Sequence, residues 1–305
     1  MKKILVIGAD GFIGGKLTTY LYLQGTEIIA MIPKGLKNYV PIQSTTIKYI
    51  EFDFDSILEE DYSNSLDGVD TIYNLAWQGV NSTDRNNIDI QSMNILYNIK
   101  VVQLAHKYQI KRLIIPGSAA EFSYSKNVID GSGTPTPSDL YSATKVATRD
   151  ICSTLCKQYS IEMIWTLITS IYGPGRDDNN LISYVIKSLL QGKKTSCTKL
   201  EQQWDYIYID DLITALYLVG QYGKKGCIYP IGSGEHRHLY EYIEIIHQLT
   251  NPDIPIGIGD IPYKSSIIDN QIMDISLLQQ DTGFVPQFTF QEGIKNVINY
   301  FQSIL

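Results

Sequence analysis

Cysteine is scarce in this 305-residue chain, with Cys152, Cys156, Cys197 and Cys227 the only four. Thiols so few and so far apart make no disulfide framework, and their spacing matches no zinc pattern. Cys152 and Cys156 would share a helix face at i, i+4, but no histidine stands near to join them, so no metal is expected. Excess positive charge is also missing. The net charge is -7, so nothing recruits nucleic acid by electrostatics, and an anionic ligand must be held by local donors. No apolar run is long enough to span a membrane. The opening Met-Lys-Lys-Ile-Leu-Val-Ile resembles the start of a secretion signal, yet its apolar run is short and Asp10 soon interrupts it. The expected location is a reducing cytoplasm. Internal repeats and low-complexity segments are absent too.

What remains is ordinary globular composition, 44 % apolar and 19 % charged. The length suits one large α/β domain, or a domain with a smaller lobe.

Residues 4–7 are an unbroken aliphatic run, which suits a strand buried on both faces of a parallel sheet. Gly8, Gly11 and Gly14 come next, with Asp10, Phe12 and Ile13 between and beside them. In a strand-turn-helix, Gly8 would make the tight turn, Gly11 would let the backbone approach a pyrophosphate, and Gly14 would let the helix lie close to the strand. Free N–H groups at the start of a helix over 12–23 would then face the phosphates. That helix stops at Gly25.

Further strands are expected at 26–32, 47–52, 69–76, 113–115 and 162–169, with helices at 88–108 and from Tyr141 onward. The alternation predicts a doubly wound parallel sheet of Rossmann type. Beyond Tyr172-Gly-Pro-Gly175 it fades: helices at 181–190, 211–219, 240–249 and 291–301, and strands at 204–209 and 228–231. The chain is therefore read as a dinucleotide-binding domain over 1–170, with a return segment near 204–230, and a smaller α/β substrate lobe mainly over 171–305.

The end of the second strand is where such a fold tests the adenosine ribose. An acid there would accept from the 2′-hydroxyl of NAD, but this chain has Pro33 and Lys34. Lys34 could pair with a 2′-phosphate or be a solvated loop lysine. Asp53 and Phe54, at the end of the third strand, could hold the adenine edge. Trp77-Gln78-Gly79 leaves the fourth strand at the carboxyl edge, where open α/β sheets bind ligands.

Tyr141 and Lys145 are one helical turn apart and leave the same face. An ammonium beside a phenol favours the phenolate, and a phenol with a lowered pKa can exchange a proton with an alcohol. Ser118, at the end of a neighbouring strand, could offer its hydroxyl to the same oxygen. Each residue is unremarkable alone in a chain with 22 tyrosines. Their order on this strand pattern is not.

With these residues the chain resembles the extended short-chain dehydrogenase/reductase family over nearly its whole length. Gly8-Ala-Asp-Gly11-Phe-Ile-Gly14 resembles the family's nucleotide turn, Asn74-Leu75-Ala76 its fourth-strand motif and Asn94 its helix asparagine. Pro116-Gly-Ser118 and Tyr141-Ser-Ala-Thr-Lys145 match its catalytic set. Tyr172-Gly-Pro-Gly175, the run 204–211 and Ile231-Gly-Ser-Gly234 resemble markers of members acting on nucleotide-diphosphate sugars. The resemblance implies that Tyr141 is acid or base, that Lys145 holds the nicotinamide ribose and tunes Tyr141, and that Ser118 orients the substrate oxygen. It implies a nicotinamide dinucleotide, NADP if Lys34 meets a 2′-phosphate or else NAD, bound also by Leu75, Ala76, Trp77 and Asn94, a nucleotide-diphosphate sugar as substrate, and a homodimer built on the helices at 88–108 and 141–159. Substrate contacts are expected from Gln78, Glu121, Ser170, Asn180, Trp204 and Arg176.

Departures from the family divide its subgroups. The 4,6-dehydratases carry an Asp-Glu pair after the catalytic hydroxyl residue, where this chain has Ala119 and Ala120. Alanine cannot transfer a proton. Glu121 comes one residue too late to replace them and reads as a loop or substrate-contact residue. Two arginines that usually meet the diphosphate are missing, at Leu167 and before Asp205. Arg176, Arg237 and Lys264 are candidates to replace them. The expected activity is reduction of a nucleotide-linked 4-keto-6-deoxyhexose for surface-polysaccharide synthesis, with a 4-epimerase as the alternative. A nucleotide sensor without activity would be expected to lack the tyrosine or the lysine.

Overall fold

Ile4, Leu5, Val6 and Ile7 are fully buried because their strand lies in the middle of a sheet, paired in parallel with a neighbour on each side. The structure, a computed structural model, describes residues 1–35, 44–81, 83–123, 128–176, 180–263 and 270–305. Lys264 lies outside the described residues. Strands β1 (Lys3–Ile7), β2 (Glu27–Pro33), β3 (Ile47–Phe52), β4 (Thr71–Asn74), β5 (Arg112–Ser118) and β6 (Glu162–Ile168) come with helices α1 (Phe12–Leu23), α2 (Ser63–Leu66), α3 (Ile88–Lys107) and α4 (Leu140–Gln158). Then come β7 (Ser170–Tyr172), α5 (Leu181–Leu190), β8 (Thr195–Cys197), β9 (Gln203–Trp204), β10 (Tyr206–Tyr208) and α6 (Ile209–Tyr222). The chain ends with β11 (Ile228–Ile231), β12 (Arg237–His238), α7 (Leu239–Thr250), β13 (Ile256–Ile258), α8 (Ser276–Thr282) and α9 (Phe290–Ile304).

The seven-stranded sheet has the order β11-β6-β5-β4-β1-β2-β3, and its pairings are all parallel. Strand order reverses between β1 and β4, which opens a crevice at their carboxyl ends where this architecture receives ligands. The fold is therefore the doubly wound, Rossmann-like α/β class. Burial on both faces explains why its strands read as continuous apolar runs. Among the described residues, no helix is long and apolar enough to cross a membrane.

The structure corrects one expected element. The run 204–209 is not one strand but two short ones separated by Asp205, whose side chain is fully buried. Its carboxylate accepts from Ser233 N at 2.8 Å, Ser233 Oγ at 2.9 Å and Gly234 N at 3.0 Å. Those three bonds turn the backbone and fix the loop after β11. Burial still raises this carboxyl, to about 6, against the hydrogen bonds that lower it.

Candidate active site

The turn after β1 is a cradle. Gly8 has φ +80°, and a Cβ there would lie 2.9 Å from Ala76 N. A Cβ at Gly14 would collide with the Gly8 carbonyl, so only glycine lets α1 approach the strand. At Gly11 the single near neighbour of a Cβ would be Gly8 O at 3.4 Å, and the turn is otherwise open there. It opens onto a cavity of ≈ 420 Å³ lined by Gly8, Asp10, Gly11, Pro33, Lys34, Phe52, Asp53, Phe54, Leu75, Ala76, Trp77, Gln78, Asn94 and Tyr97. Gly14 lies beneath it, and Phe12 and Ile13 open α1 outside its lining, with the Phe12 ring against Gly173. Volume and donor set suit a dinucleotide.

Lys34 reaches this cavity but is engaged. Its Nζ donates to Glu60 Oε1 at 2.8 Å, and Glu60 also accepts from Tyr62 Oη and Ser56 Oγ. Pairing raises the Lys34 ammonium and lowers the Glu60 carboxyl. The cation expected to meet a 2′-phosphate therefore has a resident partner. At the other wall Phe54 stacks on Tyr97, with centroids 4.4 Å apart.

Side-chain amides on α3 fix the exit from β4. Asn74 Nδ2 donates to Asn98 Oδ1, and Asn98 Nδ2 to the Asn94 carbonyl, each at 2.8 Å. Asn94 exchanges two bonds with the Gln78 backbone, at 3.0 and 2.9 Å. Gln91 accepts from the Trp77 indole at 3.3 Å and donates to Gly79 O at 2.8 Å. Trp77 and Gln78 are thus held at the carboxyl edge.

Ser118, Tyr141 and Lys145 come together beside them. Ser118 closes β5, paired in register with Ile168 of β6; its hydroxyl accepts from Ala120 N at 3.2 Å and is near enough to Tyr141 to favour its phenolate. Lys145 Nζ donates to Pro116 O at 2.7 Å and lies 3.5 Å from the Trp77 ring centroid and 5.8 Å from that of Tyr141. The phenol is not lowered as expected. Burial raises Tyr141, opposed by the nearby Ser118 hydroxyl and the Arg85 charge. Burial also lowers Lys145 to about 7, against the attraction of Glu121. The ammonium that should favour phenolate is itself weakened by the same dry surroundings.

Glu121 requires a second correction. It is no substrate contact: fully buried, it accepts from Ser118 N at 3.0 Å, Trp165 Nε1 at 3.0 Å and Arg149 Nη1 at 3.1 Å. A one-turn 3₁₀ helix, Ala119–Phe122, begins at Ser118 and turns Glu121 back inward. Burial raises its carboxyl, opposed first by the Ser118 N–H and then by Arg149.

Of the other expected substrate residues, Ser170 and Trp204 meet, indole to hydroxyl at 2.9 Å, two residues past the strand that flanks Ser118. Trp204 also pairs with Arg237 across β9 and β12. Asn180 caps α5, accepting from Ser183 N at 3.0 Å. Arg176 donates to Ile171 O at 2.5 Å.

Two residues at the site escape the sequence reading. Tyr97 carried a usable signal, since it follows Asn94 by three positions on one helix face. Arg85 carried none, because it sits in the irregular segment before α3, yet its guanidinium carbon lies 4.2 Å from the Tyr141 ring centroid.

A glycine cradle at the switch point of a parallel sheet, with a hydroxyl, a phenol and a lysine at its rim, defines a Rossmann-type nucleotide-binding fold. A model of the NAD-dependent epimerase/dehydratase family matches residues 4–232, and the chain belongs to that family. It is 24 % identical to an uncharacterized UDP-glucose epimerase, YtcB, of Bacillus subtilis, covering 99 % of this chain and 98 % of that one. It is 25 % identical to the CDP-abequose synthase of Salmonella typhimurium, over 97 % of each. In structure it is similar to a UDP-glucuronic acid 4-epimerase from Bacillus cereus in complex with UDP-glucuronic acid and NAD, with TM-score 0.83, 20 % identity and coverage of 99 % and 100 %. Both relatives are named for nucleotide-linked sugars, and the family match agrees with the resemblance to the extended short-chain dehydrogenase/reductase family.

Proposed function

We propose that the protein reduces the 4-keto group of a nucleotide-diphosphate 6-deoxyhexose, on a route to a surface-polysaccharide sugar. One observation carries this reading: Ser118, Tyr141 and Lys145 converge beside the cradle, while the two positions after Ser118 offer only methyl groups and Glu121 is locked inward. Proton exchange is provided for; elimination of water is not.

The cavity fits a nicotinamide dinucleotide, which when bound supplies the hydride. Gly8 and Gly11 with the start of α1 would hold its pyrophosphate, Asp53 and Phe54 its adenosine, and Lys145 its nicotinamide ribose. Ser118 would orient the keto oxygen and Tyr141 would give it a proton. Trp204, Ser170 and Gln78 are proposed to meet the sugar nucleotide, and Arg176 and Arg237 its diphosphate. We place the enzyme in the cytoplasm as a homodimer through α3 and α4, a pairing supported by Leu96 and Ile151, 50 % and 38 % exposed on those helices. A monomer by light scattering at micromolar concentration would count against the dimer.

A 4-epimerase is the second reading, favoured by the Lys34–Glu60 pair, which commits the cation that NADPH would need. The two readings separate when the protein is given a panel of nucleotide 4-keto sugars with NADPH or NADH and the products are weighed by mass spectrometry. A reductase consumes one reduced cofactor per product. Tightly retained NAD, with interconversion of two nucleotide hexoses and no added cofactor, identifies an epimerase. In either case Tyr141→Phe should lower turnover at least about a hundredfold while cofactor affinity barely changes.

A further inference from the structure

Tyr141 lies in the first turn of α4, where backbone N–H groups have no partner within the helix. A segment more than fifty residues upstream supplies partners. Tyr141 N donates to Arg85 O at 2.9 Å, and Leu140 N donates to Asn86 Oδ1 at 3.1 Å. Asp139, the N-cap, accepts from Ser142 N at 2.8 Å and from Arg85 Nε at 2.6 Å. The segment is itself fixed: Arg85 N donates to Asn81 O at 3.2 Å, and Asn87 caps α3. Arg85 is therefore anchored at both ends, by its carbonyl on the Tyr141 amide and by its guanidinium on Asp139. That guanidinium rests over the phenol, 4.2 Å from the centroid, while Trp77 approaches the same ring at 6.0 Å in an edge-on geometry.

We propose that Arg85 is a positioning residue for Tyr141, which clamps the phenol ring between α4 and the β4–α3 segment and lends it a fixed positive charge. The electron-rich face of a phenol attracts a guanidinium, and a phenolate attracts it more. The charged and titratable groups around the ring are Lys145 and Asp139 on α4, Arg85 on the upstream segment and Glu121 on the 3₁₀ turn. Of these, Arg85 is the cation in contact with the ring face, and its charge opposes the effect of burial on the phenol. Asp139 offsets part of that charge and in return keeps the guanidinium stationary. The role in proton exchange rests on the reading of Tyr141 as acid or base; the clamp does not.

The test tracks the phenol directly. Protein labelled with 3-fluorotyrosine is titrated by fluorine NMR, and the Tyr141 resonance is assigned by its loss in Tyr141→Phe. In Arg85→Gln, which is neutral but keeps a donor for Asp139, the titration midpoint should rise by about one pH unit. Arg85→Lys should restore it at least halfway. Arg85→Met is a second neutral variant, so a folding defect in one leaves the other to decide. An unchanged midpoint in a folded neutral variant overturns the proposal, as does a rise that lysine fails to reverse. No substrate is needed, so the outcome is independent of the reaction assigned above. A midpoint that moves while the pH profile of turnover stays fixed would support the clamp and sink Tyr141 as the proton-exchange group.

Discussion

Lys145 Nζ donates to the Pro116 carbonyl oxygen at 2.7 Å, tying the helix that carries Tyr141 to the strand that ends in Ser118. The lysine is therefore a crosslink as well as a charge.

Its pH dependence comes from burial. The unfolded chain holds this proton up to the ordinary value of 10.5, the folded protein only to about 7. Between these values the unfolded state binds more protons, so the lysine's contribution to stability should rise with pH across that window and be flat below it. Melting curves of wild type and Lys145→Met, compared at pH 7 and pH 9, should diverge in that direction. Lys145→Met should also lose both turnover and cofactor affinity, which separates it from Tyr141→Phe.

Lys34 and Glu60 test cofactor choice. Glu60→Gln removes the resident partner of Lys34 and should raise the affinity for NADPH relative to NADH by up to about fivefold, the range open to an exposed ion pair. Lys34→Asp should move the ratio the other way, by adding repulsion to one cofactor and a ribose acceptor to the other. Fluorescence titration with both reduced cofactors reads the ratio. If neither substitution moves it, Lys34 takes no part in cofactor selection.

Glu121 should behave as a structural group. Glu121→Ala leaves the Arg149 guanidinium, with only 13 % of its side chain exposed, without its buried partner. A loss of about 3–5 kcal/mol in denaturant unfolding is expected. Glu121→Gln should cost about 1–3 kcal/mol with KM for the sugar nucleotide unchanged. A raised KM at normal stability would restore Glu121 to the substrate contacts.

Asp205 carries the opposite pH signature. Its folded value of about 6 lies above the ordinary 3.8, so the folded state binds more protons between them. The carboxyl's contribution should be greatest below about pH 4, decline as pH rises through 6 and be level above 7. The stability of wild type relative to Asp205→Asn, measured from pH 4 to pH 8, reads this slope. A slope of the other sign would mean that the three hydrogen bonds outweigh burial.

The sheet was legible because strands buried on both faces spell themselves as apolar runs. Helices Phe12–Leu23 and Leu181–Leu190 and strands Ile47–Phe52 and Ile228–Ile231 fall where the pattern puts them. Three-residue strands such as Thr195–Cys197 and Ile256–Ile258 are too short to show a period, and they pair across sixty residues of chain. The 204–209 run misleads because Asp205 is turned in by partners on a distant loop. At the site, spacing brings Tyr141 and Lys145 to one helix face. It says nothing of Arg85, which reaches the phenol only through the tertiary path of an irregular segment. Nor does spacing report dryness, which here reverses the expected direction of the Tyr141 shift.

The ladder of Asn74, Asn98, Asn94 and Gln91 is made only of amides, which neither gain nor lose a proton over any pH the protein survives. The floor of the site, with Trp77 and Gln78 on it, is therefore a fixed reference against which ionising groups can be observed. A bell-shaped rate profile would then describe the groups above that floor, not a floor that shifts beneath them. Each rung also has a direction, because every amide offers a donor on one side and an acceptor on the other. Exchanging one nitrogen for oxygen, as in Asn94→Asp, sets two acceptors face to face and breaks the ladder without altering its shape.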